Sequence, residues 1–365
     1  MWYRIKTLII KELQILLRDR KTRIIIIVPP ILQLVVFSFA STLEVKNITI
    51  GILNRDTGAE SRQLIESFRN SPSFTQLFFL KNEAEIQSFL DDQQGVIVLN
   101  IAPDFSRKIA AGTPTSVQLL LDGRRSNVAQ IVSGYASTII TNYNRQLQPV
   151  QQIQPPAVRN WFNPNLDYLY FTLPSLLGIL CMVMGITIPA LSVAREREFG
   201  TFDQILVSPL SSTEILIGKT VPSLLIGLAQ ATGMFLAIVW CFKVPFVGSL
   251  LLFYLGIVIF ITSVTGVGLF ISALCKTQQQ AILGAFVFTV PAVLISGYAT
   301  PVENMPQWLQ YLALLDPLRH FLVLIKGIFL KAMPWSIAWN CIWPLLSLTV
   351  ASLAFAGWFF KKKLD

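Results

Sequence analysis

Four charged residues of alternating sign lie directly after a long apolar stretch. Residues 195–198 read Arg-Glu-Arg-Glu, and Gly200 then allows the backbone a sharp bend. A short amphipathic helix is predicted next, and Ser208-Pro209 ends it. Charges beside an apolar face at a membrane surface suit the docking of a partner protein. The periodicity fits equally well a solvated loop with a charge cluster that stops membrane insertion.

Residue types that catalysis or metal binding needs are scarce. His320 is the only histidine, which excludes most nucleophile–histidine schemes, and no His or Cys lies at metal-ligand spacing. We therefore predict no catalytic residue and no metal site. Gly218-Lys219-Thr220 resembles the end of a phosphate-binding loop, but that loop needs glycine at position 213, where Thr213 stands. Lys219 is expected instead to extend towards the membrane interface.

The composition indicates a protein of the lipid bilayer. Hydrophobic residues make up 53% of the 365 residues and charged residues only 13%, whereas soluble chains carry about 25% charged residues. The net charge is +9, and its basic residues cluster within positions 1–23 and 361–363, next to apolar stretches. That placement is the positive-inside pattern, and it favours a membrane surface over nucleic acid as the partner.

Six apolar stretches have the roughly 20 residues that cross a hydrocarbon core of about 30 Å. We predict a polytopic α-helical membrane protein with six transmembrane helices. Residues 2–17 are expected to form an amphipathic helix in the membrane interface, with a solvated helix as the alternative. A signal peptide cleaved after Ala40 is the alternative for the first span. The predicted spans are 24–43, 172–194, 220–242, 249–274, 280–298 and 337–360.

Between the first two spans the pattern changes to short apolar runs that alternate with polar, helix-forming ones. This predicts an α/β (α+β) domain over 44–170, inserted in the membrane protein. A further polar segment, 299–336, is expected to form an external hairpin. The predicted elements of the domain are strands at 48–53, 75–80, 95–101 and 116–121, and helices at 59–70, 83–91, from Pro103, and at 126–147.

Orientation follows from the basic clusters. The N-terminal cluster is predicted to be cytoplasmic, which makes the 44–170 domain extracytoplasmic and returns the C-terminus to the cytoplasm. The chain then divides into an N-terminal helix and span (1–43), the outer domain (44–170) and a five-span bundle (171–365). Within the bundle, 196–214 lies on the cytoplasmic side and contains the predicted coupling helix.

Several motifs match one family residue by residue. The cytoplasmic segment resembles the coupling region of type-2 ABC exporter permeases, and further matches lie at Lys11-Glu12, at 301–306 and at 316–319. The large domain between the first two spans resembles the multidrug or antibiotic-exporter subgroup. The coupling-region matches are Glu196, Arg197, Glu198, Gly200, Thr201, Gln204, Pro209 and Leu210.

The resemblance implies a function. Such a chain is the permease subunit of an ATP-driven exporter of hydrophobic or amphipathic compounds in a bacterial inner membrane. It binds no cofactor itself, because ATP and Mg are held by a separate ATP-binding subunit that contacts the eight matching residues. The implied partners also include a second permease copy or a related permease. The outer domain would either contact a periplasmic adaptor or gate the exit, and the sequence does not choose between these roles. No substrate-binding residue is implied.

Two other classes of function stay open at this point. A polytopic membrane receptor or scaffold would use the 44–170 domain to bind a ligand and the spans as an anchor. A membrane enzyme that modifies lipids would need clustered catalytic polar residues, which the spans lack. The scarcity of charge within the spans also argues against a proton-coupled carrier. Association with an ATP-hydrolysing subunit distinguishes the permease from both alternatives.

Overall fold

A computed structural model describes residues 2–40, 45, 47–147, 161–163, 167–201, 204 and 210–364. The chain divides into two compact units, residues 42–158 and the remainder, 1–41 with 159–365. We describe each unit by itself.

The unit at 42–158 is built on a four-stranded mixed sheet in the order β2-β1-β3-β4. β1 pairs in parallel with both β2 and β3, and β3 pairs antiparallel with β4. The predicted strands and helices are found within two residues of their expected starts and ends. The strands are β1 (Ile48–Asn54), β2 (Phe74–Phe79), β3 (Ile97–Ile101) and β4 (Gln118–Leu121). The helices are α3 (Ala59–Arg69), α4 (Ala84–Asp91), α5 (Phe105–Ala110) and α6 (Ser126–Leu147).

Helices cover the sheet because its central strands are apolar on both faces. All five residues of β3 are buried, which is the pattern of a strand between two covered faces. On one face, Phe68 of α3 and Tyr143 of α6 pack in the main core of this unit. On the other face, Phe89 of α4 packs with Leu53 and Val98.

The remaining unit is helical throughout its described part. Two helices come first, α1 (Trp2–Arg18) and α2 (Arg20–Ala40). Two short helices, α11 (Gln307–Leu314) and α12 (Pro317–Lys331), lie in the segment predicted to be an external hairpin. The long helices are α7 (Tyr168–Glu198), α8 (Ser212–Leu236, extended by a π turn to Cys241), α9 (Leu250–Leu274), α10 (Gln278–Ile295) and α13 (Trp335–Leu364).

Five of the described helices are long and apolar enough to cross a membrane, namely α7, α8 with its π turn, α9, α10 and α13. The chain is therefore a mainly helical, polytopic membrane protein. The first predicted span, 24–43, overlaps α2, whose described apolar stretch is the shorter Ile27–Ser38. A sixth span remains a prediction.

The core of the helical unit lies between α7, α9 and α12. Aromatic rings fill it: Phe260 of α9 stacks on Phe321 of α12 with ring centroids 4.2 Å apart. Phe235, Phe253 and Phe329 form a second aromatic group. α12 is thus packed into the core along one face, as its fully buried Leu318 and Phe329 show. The ring of His320, on the same helix, lies 2.9 Å from the Leu314 carbonyl oxygen.

Candidate functional site

Helix α8 begins well before the apolar stretch that predicted it. The Glu214 backbone N–H donates to the Ser211 hydroxyl, and the Ser211 N–H donates to the Glu214 carboxylate at 2.9 Å. This capping box satisfies two N–H groups of the first turn and lets the helix start at Ser212. The helix thus begins eight residues before the span predicted at 220–242. As a consequence, Lys219 lies inside the helix and not in a loop before it.

Lys219 is the centre of a buried charge cluster. Its side chain is 0% exposed, which contradicts the expected extension towards the membrane interface. The ammonium donates to Glu12 Oε1 at 3.0 Å, to Glu196 Oε2 at 2.7 Å and to Ser192 Oγ at 2.9 Å. Ser192 donates in turn to Glu12 Oε2 at 2.8 Å. Lys219 stays buried because two carboxylates and a hydroxyl replace its water.

The cluster joins three helices and is electrically balanced. Glu12 comes from α1, Ser192 and Glu196 from α7, and Lys219 from α8. Lys11 of α1 adds a second cation, 3.0 Å from Glu196 Oε1, so two positive groups face two negative ones. Burial by itself would raise the pKa of the Glu12 carboxyl, but the Lys219 ammonium and the hydrogen bonds from Ser192 and Lys219 hold this pKa below its usual value.

Apolar contact brings α1 close enough for these charges to meet. Gly218 precedes Lys219, and Leu8 of α1 lies over it. A Cβ at Gly218 would stand only 2.7 Å from Leu8 Cγ. Leu8 is buried as well. Glycine therefore allows α1 and α8 to approach, and the approach brings the Glu12 carboxylate within reach of Lys219.

Helix α7 ends at Glu198, and the chain turns at Gly200, one helical turn beyond Glu196 of the cluster. Gly200 has φ +68°, a left-handed conformation that favours glycine. Its N–H donates to the Arg197 carbonyl at 3.1 Å, and the Thr201 N–H donates to the Glu196 carbonyl at 2.9 Å. This pair of bonds is the Schellman motif, which satisfies two free carbonyls of the last turn. Phe199, at the turn, is 69% exposed.

Two other charges of the 195–198 run also hold α7 to its neighbours. Arg197 donates to the carbonyl oxygens of Ala273 and Cys275 at 2.8 and 3.1 Å, at the end of α9. The Glu198 carboxylate accepts from the backbone N–H of Gln278 at 2.9 Å and from its side-chain amide at 3.2 Å. Gln278 is the first residue of α10. These contacts tie the exposed turn to the end of α9 and the start of α10.

A groove of about 890 Å³ lies beside this turn. Its walls carry both polar and apolar groups. Arg195 and Asp19 both line it, and their Nη2 and Oδ2 atoms are 3.3 Å apart. The lining comprises Leu8, Lys11, Ile15, Asp19, Arg195, Glu196, Phe199, Thr201, Gln204, Leu210 and Gln278.

The predicted coupling residues fall into different positions around this groove. Glu196 is 5% exposed and belongs to the charge cluster. Arg197 and Glu198 bind neighbouring helices, whereas Gly200 and Thr201 lie at the exposed turn. Two more, Gln204 and Leu210, line the groove, and Pro209 lies outside the described residues.

Sequence reasoning missed the cluster at Lys219 and the exposed ring of Phe199. The signal for Lys219 was present, since a lysine about two turns into an apolar helix requires a nearby anion. Its partners lie 207 and 23 residues away along the chain, and no local pattern connects them. Phe199 stood in the middle of the matched segment, but the family pattern places no fixed residue there.

The fold and site define a polytopic membrane protein whose buried charges connect an amphipathic N-terminal helix to two membrane helices. The model of the family described as "ABC-2 family transporter protein" matches residues 20–356. The chain therefore belongs to that family of transporter permeases, as the sequence motifs predicted. Members of this family are membrane subunits, and the ATPase is carried by a separate subunit.

Three relatives match nearly the whole chain. The chain is 46% identical, over 100% of both proteins, to the "Probable multidrug ABC transporter permease YbhR" of Escherichia coli strain K12. It is 29% identical to the "Inner membrane transport permease YhhJ" of the same strain, over 97% of this chain and 96% of that protein. It is 27% identical to the "Probable multidrug ABC transporter permease YbhS" of the same strain, over 100% of this chain and 98% of that protein.

Proposed function

We propose that this chain is the permease subunit of an ATP-driven exporter that moves hydrophobic or amphipathic compounds out across a bacterial inner membrane. The observation that carries the proposal is the family match over 20–356 together with identity of 46% to a relative named as a multidrug permease. ATP and Mg would be held by a separate ATP-binding subunit. This chain would supply the path through the membrane.

The proposed topology has six spans, with both termini cytoplasmic and the 44–170 domain extracytoplasmic. The length of α2 supports the sixth span, because 21 residues rise about 31 Å. Its exposed surface is apolar: Ile27, Ile31, Val35 and Phe37 are all at least 40% exposed. Such a surface is costly in water and suits lipid or a second permease copy.

We place the ATP-binding subunit at the groove beside Phe199. An exposed aromatic ring on a braced turn is a typical anchor for a partner protein. The groove offers that partner an apolar wall at Leu8, Ile15 and Leu210 and charged groups at Lys11 and Arg195. This proposed contact also includes Gly200, Thr201 and Gln204. The turn would be held in place by the contacts that Glu196, Arg197 and Glu198 make with neighbouring helices.

The charge cluster would transmit movement from the groove to the bundle. A partner that pushes on the turn at Phe199 pushes on α7, and Glu196 of α7 is tied to Lys219 of α8 and through it to Glu12 of α1. Separating these helices would leave charges buried without a partner, which costs several kcal/mol. The three helix ends therefore move together as one body.

Further partners are proposed on the family alone. A second copy of this chain, or a related permease, would complete the transport path, and the extracytoplasmic domain would contact a periplasmic adaptor. These statements are tested by the composition of the purified complex.

The decisive experiment measures binding of the ATP-binding subunit to the full chain in lipid nanodiscs. Phe199→Ala should weaken this binding about tenfold or more, as loss of an aromatic anchor does. Phe79→Ala is the matched control, because Phe79 is 53% exposed in the other unit and should leave binding unchanged. ATP-dependent uptake of a fluorescent amphiphile into inverted vesicles tests the direction of transport.

Two results would overturn the proposal. If no ATP-binding subunit associates with the wild-type chain, the receptor or scaffold interpretation takes its place. If the subunit associates and both phenylalanine variants bind it equally, the groove is not its docking site.

A further inference from the structure

A second group of charged and aromatic residues lies at the opposite end of α7 from the Lys219 cluster. α7 has 31 residues and is therefore about 47 Å long. Phe171 belongs to its first turn, and the ring of Tyr298, just after α10, lies nearly parallel to it at 4°, with centroids 6.2 Å apart. The centroid of the Tyr168 ring also lies 6.2 Å from that of Phe171. Aromatic rings from two helix ends thus form one half-buried surface.

Two lysines of α12 lie over these rings. The Lys326 ammonium is 4.6 Å from the centroid of Phe171. The Lys331 ammonium is 5.3 Å from the centroid of Phe162, and the ring of Trp161 is adjacent to Phe162. Both distances are within the roughly 6 Å over which a cation is attracted to an aromatic face.

These positive charges have no anionic partner in the described part of the chain. Neither lysine forms an ion pair with a carboxylate there, in contrast to Lys219. Asp167 is the acidic residue nearest to the rings in sequence; its backbone exchanges hydrogen bonds with Asn163, and its carboxylate pairs with neither lysine. Burial and the neighbouring Lys331 ammonium lower the pKa of Lys326.

Such an arrangement is costly unless something else supplies negative charge. Lys326 is half-buried and has lost part of its water, and an aromatic ring replaces only a fraction of that stabilisation, whereas Lys331 is exposed. A second ammonium nearby adds repulsion. The rings offer an apolar surface and, at Tyr168 and Tyr298, neutral hydroxyl groups, but no carboxylate. The missing partner is therefore negatively charged at one end and apolar at the other.

We propose that Lys326 and Lys331, with the rings of Phe162, Phe171 and Tyr298, form a binding site for an anionic amphiphile. Its carboxylate, sulfonate or phosphate would lie between the two ammonium groups, and its apolar body would lie against the rings. An organic cation would be repelled by the lysines. A neutral apolar compound would cover the rings and leave the lysines without an acceptor.

Two sources supply this chemistry: an anionic phospholipid of the surrounding bilayer, or a compound that the permease transports. Only the second source rests on the proposed function. Binding at the site needs neither ATP nor an ATP-binding subunit. A negative result would therefore count against this site and leave the proposed function standing.

The experiment uses the full chain in nanodiscs of phosphatidylcholine and two fluorescent probes. These are 1-anilinonaphthalene-8-sulfonate and N-phenyl-1-naphthylamine, which share their rings and differ by the sulfonate. Replacing both lysines by glutamine should raise the Kd of the sulfonate probe about tenfold or more, because charged hydrogen bonds are lost. The Kd of the neutral probe should change little. Lys326→Arg keeps the charge and should keep the affinity.

Matched controls separate binding from folding and one source from the other. Lys243→Gln removes an exposed lysine outside the aromatic surface and should leave both probes unaffected. Thermal unfolding of each variant reports its folding directly. Phosphatidylglycerol in the nanodisc should compete with the sulfonate probe in the wild-type chain if the source is a lipid, and should not compete if it is a transported compound. An unchanged Kd for the sulfonate probe in the double variant, or an equal loss for both probes, would overturn the proposal.

Discussion

Removing the Lys219 ammonium should destabilise the helical unit strongly, and a second substitution should restore much of the loss. In the wild-type chain, Lys219 and Lys11 balance Glu12 and Glu196. Lys219→Met keeps the volume but removes one cation. Glu196 retains Lys11 at 3.0 Å. Glu12 retains the Ser192 hydroxyl at 2.8 Å and the weaker electrostatic attraction of Lys11. One buried carboxylate is thus left without a counter-ion in contact.

The magnitude follows from that unpaired carboxylate. Breaking a buried ion pair by removing one partner costs about 3–5 kcal/mol, and we expect about 3 kcal/mol because Ser192 still donates to Glu12. Changing Glu12 to Gln in the same chain removes the stranded charge and leaves the Lys11–Glu196 pair balanced. The double variant should therefore recover about 2 kcal/mol relative to Lys219→Met. Its total loss is then smaller than the sum of the two single losses by about 2 kcal/mol or more, a coupling energy typical of groups in one network.

The assay is a four-protein cycle on the purified full chain: the wild type, Lys219→Met, Glu12→Gln and the double variant. Free energies of unfolding are measured in the same detergent by tryptophan fluorescence, for which the chain offers eight tryptophans. Lys276→Met, at an exposed lysine of the helical unit, should cost less than about 0.5 kcal/mol.

Acid should weaken the same cluster. The pKa of Glu12 is lowered in the folded chain, so its contribution to stability is present above the usual carboxyl range and is lost as the pH falls through the lowered value.

The network would be refuted if the loss of stability in the double variant equalled the sum of the losses in the two single variants. Independent sites would behave in that way.

The remaining predictions concern one buried carboxyl and one helix end. Burial raises the pKa of Asp316 to about 7, so ionisation opposes folding and stability should fall as the pH rises from about 4 to about 7. Asp316→Asn keeps an acceptor for the Leu318 N–H. At pH 8 the free energy of unfolding of this variant should exceed that of the wild type by about 1–3 kcal/mol, and the difference should close towards pH 4. A difference independent of pH would contradict this prediction. Gly200→Ala should cost about 1 kcal/mol in thermal unfolding, since φ is +68° there although no atom lies within 4 Å of the added Cβ. Gly134→Ala, with equally open space inside α6, should stabilise by about 0.5–1 kcal/mol, and effects of the same sign at both glycines would refute the backbone argument.

Local patterns predicted the secondary structure well where burial and periodicity agree. Strand β3 is apolar on both faces and helix α3 has an apolar stripe, and both are found where the pattern placed them. The start of α8 was missed because a capping box at Ser211 and Glu214 extends the helix beyond its apolar part. Hydropathy reports where a chain contacts lipid, and a helix continues for as long as its backbone groups are satisfied.

Neither charged site was predictable in the same way. The rings and ammonium groups around Lys326 come from three separate parts of the chain, and each alone resembles an ordinary residue of a membrane interface. Their common position depends on α12 packing along α7. The Lys219 cluster depends equally on α1 lying against Gly218.

By itself, the sequence determined that this protein belongs in a membrane, which segments are helices and strands, and which transporter family it resembles. Those properties depend on residues that are close together in the sequence. The tertiary structure alone decided that Lys219 is a buried partner of Glu12 and Glu196 and that Phe199 is exposed at a braced turn. Coulomb energy and burial depend on distances in space between residues far apart in the chain, and only packing sets those distances.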